Sequence, residues 1–368
     1  MQLFAFGSNG SGQLGIGHLE DVSVPTKCIF PEELSSLGTD SGQDGIIRIV
    51  AGGNHTLVLF RTGAVYATGS TENGKCGFPV AENTPEAGAL RPDFRQVLVH
   101  LDGRHVDTFK AISATWEASF LVSTDDEVFV LGFGSRGELG LGKEQIETVS
   151  RPGRILDFPP QGTQITAISS GIGHTVVVLS NGEVYGWGGA RKGQLGVAVS
   201  ERKVLWTPGK VNKIPFRATG VACGREFTIV TGSMKTGEFT IIGSDKWGVI
   251  SGAPQKAMGY SVAASWNGIY VHQLDMSIKT WGRNDRGQLP PSNFPRPRQI
   301  AVGSEHAVAL LDDKTIVAFG WGEHGNCGPE TDAQGNVKGR WSQIPLAIED
   351  ARAVSVAAGC ATSWVITS

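Results

Sequence analysis

Several absences bound this 368-residue chain before any motif is considered. No apolar run approaches the ~20 residues needed to cross a bilayer, so no membrane span is expected. No block of Lys or Arg occurs, and 32 basic against 35 acidic residues leave a net charge of -3. That balance gives no electrostatic footprint for duplex DNA. The cysteines are few: Cys28, Cys76, Cys223, Cys327 and Cys360, odd in number and without a CxxC pair. Neither a disulfide framework nor a zinc site follows, and a reducing compartment, cytosol or nucleus, is expected. The sequence opens on Leu3–Phe6, a strand-like run, without the charged and apolar segments of a signal peptide. No GxxxxGK[ST] loop and no Ser/His/Asp arrangement stands out, so neither an enzyme nor a cofactor is expected.

Glycine, by contrast, is abundant: 51 residues, about 14% and roughly twice the usual share. It recurs in pairs five residues apart, each closing a short apolar run. The pairs are Gly7/Gly12, Gly69/Gly74, Gly132/Gly137, Gly188/Gly193, Gly243/Gly248, Gly282/Gly287 and Gly320/Gly325. Strings such as FGSNGSGQLG from Phe6 and WGGARKGQLG from Trp187 look like dinucleotide fingerprints. They recur in every unit with no helix pattern behind them, so that reading falls. Each unit has a second half, an apolar run, a small-residue turn often ending in histidine, and another apolar run. Examples are Val50–Phe60, Ile168–Ser180 and Val302–Leu311. Runs of four to seven residues with no 3.6 period predict strands rather than helices. Four strands per unit in seven units predict an all-β, seven-bladed propeller spanning 1–368 as one domain. A first-half strand near the start and a second-half strand near the end, 361–367, are expected to pair and close the ring.

The FGxNxxGQLG first half and the GxxH second half resemble the repeats of the regulator-of-chromosome-condensation family. The opening FAFGSNGSGQLGIGHLEDVSVP, Phe4 to Pro25, is similar to compact members grouped as fungal alpha-tubulin suppressors. It is similar also to animal secretion-regulating exchange-factor-like members. The fungal resemblance implies a partner, a small zinc protein with a CSL-type domain. It further implies a supporting role in diphthamide synthesis on elongation factor two and in Elongator-dependent modification of tRNA wobble uridines. The family's founder implies an alternative, guanine-nucleotide exchange on a small GTPase.

If the repeat is scaffold, its exceptions carry the function. Alignment of the second halves puts His55, His174 and His306 in one column, with Glu117, Phe227, Gly268 and Thr362 in the other units. The histidines are expected to be structural, bonded to backbone, and too few to form a metal ring. Trp187, Trp281 and Trp321 sit on or beside glycine-pair strands and are expected to pack between blades. Trp247 precedes the second glycine, where the other units carry Ser11, Asn73, Arg136, Lys192, Arg286 and His324. It reads as a contact hot spot or as a cover for its own blade. Trp116, with Glu117 beside it, and Trp266 stand in second-half turns. They either line a recognition pocket at the channel rim or fill the space of missing histidines. Trp341 is placed in a polar loop, 329–342. Residues 31–45 and 79–108 are the other long insertions, with 31–45 expected to be mobile.

Overall fold

In the computed structural model, which describes residues 1–31, 45–78, 92–149, 151–346 and 352–368, seven small antiparallel sheets stand in a ring. Five have four strands and two, the fourth and fifth blades, have three. The innermost strands are Ile46–Ala51, Phe109–Ala114, Ile165–Ser170, Gly220–Cys223, Ser261–Ala264, Gln299–Val302 and Ala353–Ala358. Each touches the innermost strand of both neighbours, so the ring is unbroken. The seventh blade joins the two ends of the chain: Gln2–Gly7 pairs with Thr362–Thr367, from Gln2 opposite Thr367 to Gly7 opposite Thr362. Residues 32–44 and 79–91, most of the insertions singled out from the sequence, lie outside the described residues. In the rest of the second insertion, Arg95–Gln96 is the outer strand of the first blade and Val99–Leu101 forms a hairpin with Arg104–Val106. Among the described residues no helix is long and apolar enough to cross a membrane.

The second strands are the driest part of the fold. His55–Phe60, Ala118–Ser123, His174–Leu179, Phe227–Thr231, Gly268–His272, His306–Leu310 and Thr362–Thr367 are buried at every residue. β-Branched and aromatic side chains on both faces pack against the neighbouring blades, as in the cluster joining Phe120, Val177 and Trp187. All seven first glycines of the pairs take positive φ, between 97° and 122°, a region only glycine enters without strain.

One backbone carbonyl per junction needs a donor, that of the residue following the second glycine. All seven have one from a side chain. Thr56, Ser119, Thr228 and Ser363 hydroxyls donate to the carbonyls of Gln13, Lys75, Gln194 and Asn326, at 2.7–2.8 Å. The indoles of Trp187 and Trp281 serve Glu138 and Val249, at 3.0 and 2.9 Å. The Tyr270 hydroxyl serves Gln288. Trp187 and Trp281 therefore join blades by hydrogen bonding as well as by packing.

The histidines belong to this system. His55, His174 and His306 reach Ser119, Thr228 and Ser363 through Nε2, at 2.9, 3.0 and 2.9 Å. Each hydroxyl already gives its proton to the carbonyl, so Nε2 is the donor, and burial favours the neutral ring. The expected backbone partner is thus corrected: the histidines bond a hydroxyl of the next blade. The column is corrected too, because Ala118, and not Glu117, pairs with Gly132 as His55 pairs with Gly69. Glycine three residues before each histidine has a direct cause. A Cβ on Gly52, Gly171 or Gly303 would lie 2.1–2.7 Å from the imidazole Cε1. Where the column holds small Ala118 or Gly268, Thr115 and Ser265 take the glycine's place.

Burial pulls the His55 pKa down to about 3, and those of His174 and His306 to about 4. The unfolded chain takes up these protons near pH 6.5, whereas the folded ring resists until about 4. Stability present above pH 6.5 is therefore lost as pH falls, by up to ~4 kcal/mol per pH unit if all three act. Urea unfolding between pH 7 and 5 should show this slope, and His306→Asn should remove about a third of it. A wild-type stability that is flat over this interval would refute the assignment.

Candidate functional site: an aromatic and arginine-bearing face

Each second strand begins opposite the end of the third strand, as His174 pairs with Gly188 and Gly268 with Gly282. The second-half turns and the glycine-pair loops therefore share one face of the ring. Trp116, Glu117, Trp247 and Trp266 all lie on it.

Trp116 and Trp266 come from the second and fifth blades and meet over the channel mouth, ring centroids 5.8 Å apart and tilted by 47°. They do not fill histidine sites. Their turns are fixed by backbone bonds between blades: Gly53 N–H to the Trp116 carbonyl, Trp116 N–H to Ile172, Arg225 N–H to Trp266 and Trp266 N–H to Ser304, at 2.9–3.1 Å. Gly53 permits the arrangement, because a Cβ there would lie 2.6 Å from the Trp116 indole. Beneath the pair is a cavity of about 360 Å³ lined by strands of all seven blades.

Trp247 is 44% exposed and sits in a short 3₁₀ turn, Lys246–Gly248, with φ of 66°. Left-handed backbone costs a non-glycine residue about 1–2 kcal/mol. Its indole carries the Arg283 guanidinium at 5.1 Å, so it stays in the open rather than covering its own blade. Arg283 is held by Asp285, through Nε at 2.6 Å and a second nitrogen at 2.9 Å, and by Glu305 at 3.1 Å. Those bonds hold the Asp285 carboxyl down to about 2. Arg283 N–H also bonds the carbonyl of Asn267, next to Trp266, at 2.9 Å. Trp247 and the channel mouth are thereby one connected surface. Two further arginine–indole pairs lie in the same sector, Arg225 with Trp266 at 5.4 Å and Arg286 with Trp321 at 5.7 Å.

Glu117 pairs with Lys75, whose side chain is 1% exposed. Lys75 stands in the column of Gln13, Gln194 and Gln288. Gln288 uses that position alike, reaching Glu305 of the next blade at 2.7 Å. Glu117 is thus a blade-joining residue at the edge of the exposed face. Trp341 is elsewhere. It lies on the outer strand Asn336–Gln343 of the sixth blade, not in a loop, and packs edge-on against Phe294 at 5.7 Å. Among the described residues no group of His, Cys, Asp and Glu is arranged to hold a metal. Sequence reasoning passed over Arg225, Arg283 and Lys75. Lys75 was visible as a cation in a glutamine column, whereas the arginines gain meaning only through the indoles they cover.

Glu117→Ala leaves the Lys75 ammonium buried without a partner. We expect a loss of about 2 kcal/mol, below the ~3–5 of a fully buried pair because Glu117 keeps some solvent contact. Adding Lys75→Gln should restore at least half of it. Chemical denaturation of the two variants checks this, and an additive double variant would contradict it.

Residues 2–365 match the family model for the RCC1-like domain. The RCC1 repeat-containing protein C10F6.04 of Schizosaccharomyces pombe is 30% identical over 99% of this chain and 98% of its own length. The secretion-regulating guanine nucleotide exchange factor of Mus musculus is 26% identical over 94% of this chain and 78% of its own length. Among solved structures, Prp20p from Saccharomyces cerevisiae superposes with a TM-score of 0.80 at 19% identity, covering 100% of this chain and 91% of that one. Human WBSCR16 does so at 0.77 and 17%, covering 100% of both chains. The unbroken ring of seven repeats and the match along almost the whole sequence lead to one conclusion: the chain belongs to the RCC1-like domain family.

Proposed function

We propose that this protein is a non-enzymatic binding module whose aromatic face, centred on Trp247, grips a small CSL-type zinc protein. Through that partner it supports diphthamide synthesis on elongation factor two and Elongator-dependent wobble-uridine modification, in the cytoplasm with a share in the nucleus. The observation that carries the docking reading is Trp247 itself: a large indole, 44% exposed, in left-handed backbone. Such strain at an exposed aromatic points to use, since packing alone gives no return for it. Arg283, already fixed by two carboxylates, lies against the indole, so little side-chain freedom is lost on docking. The partner's identity rests on the opening Phe4–Pro25, which is similar to the fungal alpha-tubulin suppressor, also called killer-toxin-insensitivity protein thirteen.

Titration calorimetry with a recombinant CSL-type zinc protein tests the proposal. Trp247→Ala should weaken the complex by ~2 kcal/mol or more, the mark of a hot spot. Trp341→Ala, on the far edge of its blade, should leave affinity unchanged. Unchanged affinity in Trp247→Ala removes this face from the proposal, and no binding by the wild type removes the partner.

A second reading, guanine-nucleotide exchange on a small GTPase, is favoured by the relative named as a secretion-regulating exchange factor. In that case wild-type protein accelerates release of labelled nucleotide from a GTPase panel and Trp247→Ala does not. No acceleration on any member counts against it.

A further inference from the structure

The pairing of first with second strands puts one residue of every innermost strand at the same level of the channel, opposite the fifth residue of the second strand. Arg48 holds this place in the first blade, opposite Leu59. Its counterparts are Ala111, Ala167, Gly220, Ser261, Gln299 and Ser355. Arg48 is the single charged residue of the level. Gln299 is turned away, exchanging two hydrogen bonds with the Val356 backbone at 3.1 and 3.2 Å. Four small residues, Ala111, Ala167, Gly220 and Ser261, leave a cavity of about 440 Å³ beside Arg48. Arg48 also borders the cavity beneath Trp116 and Trp266, so it stands between the two halves of the channel.

The charges around this space are one-sided. Among the described residues, neither cavity is lined by any Asp or Glu. Lys110 is the other cation, and it is committed to Asp126 at 2.6 Å. The Arg48 guanidinium has no hydrogen-bond or ion-pair partner among the described residues. It is open to the lumen yet enclosed by strands, and that enclosure lowers its pKa from the ordinary value. A planar fork of donors, with a charge and no acceptor among the described residues, suits a carboxylate or phosphate.

We propose that the central channel is a binding site for a small oxyanion, phosphate or carboxylate, held by Arg48 in the space left by Ala111, Ala167, Gly220 and Ser261. The hydroxyl of Ser261, on the same level, is a second donor within the cavity wall. The site lies inside the channel, below the mouth formed by Trp116 and Trp266, and uses neither Trp247 nor Arg283, so anion binding is tested independently of the partner proposed above.

Calorimetry on the full chain with inorganic phosphate, pyrophosphate and citrate tests this, the first two standing for phosphates and the third for carboxylates. We expect one-to-one binding of at least one probe with Kd below ~1 mM. Arg48→Gln should weaken it at least tenfold, the scale of a charge-assisted bond, and Arg48→Lys should weaken it less. Ser261→Tyr fills the same level while keeping the Arg48 residue and should also abolish binding, which guards against an Arg48 variant that fails to fold. Which probe binds decides between phosphate and carboxylate. Absence of binding by all three, or binding by Arg48→Gln at wild-type strength, overturns the proposal.

Discussion

The ring depends on seven carbonyls. Each belongs to the residue after a second glycine and lies at a blade junction, where six of the seven bonds it accepts are buried and the one to Glu138 is partly so. An unpaired buried acceptor costs about 1–3 kcal/mol, so every junction supplies a side-chain donor. The solutions differ in chemistry. Four junctions use a Thr or Ser hydroxyl, two an indole and one a phenol. Histidine then saturates the hydroxyl in three of them. What repeats along the chain is therefore a requirement at a position, and the residue type that meets it is free to vary.

This explains what was legible in the sequence. The glycine pairs read directly, because a positive φ admits almost no substitute. Blade number, strand character and closure followed. The histidine column slipped by one at the second blade, since TWEAS has neither the glycine nor the histidine that anchors the register. Only the pairing of Ala118 with Gly132 settles it. Trp341 was misplaced because Asp332 to Gly339 is polar, and a polar outer strand has no apolar period to betray it. Trp116, Trp247 and Trp266 stood out as exceptions. That an arginine covers two of them depends on contacts between blades, which no local pattern encodes.

The exceptions gather in one sector. Blades four to six hold three arginine–indole pairs, and Trp116 reaches them from across the mouth. Two of these blades are also the three-stranded ones, so the sector combines the narrowest of the seven blade sheets with the three arginine–indole pairs. Glu305, 5% exposed, ties the sector together by accepting from Asn267, Arg283 and Gln288.

The seventh blade has a consequence for biosynthesis. Gln2–Gly7 lies between Val22–Lys27 and Thr362–Thr367, so one of its edges waits for a strand that is translated almost a whole chain later. At 5–20 residues per second the wait is roughly 20–70 s. Throughout that time an apolar strand leaves a row of backbone donors and acceptors open to any passing chain. The nascent protein is thus a split ring until Thr362–Thr367 arrives to close it.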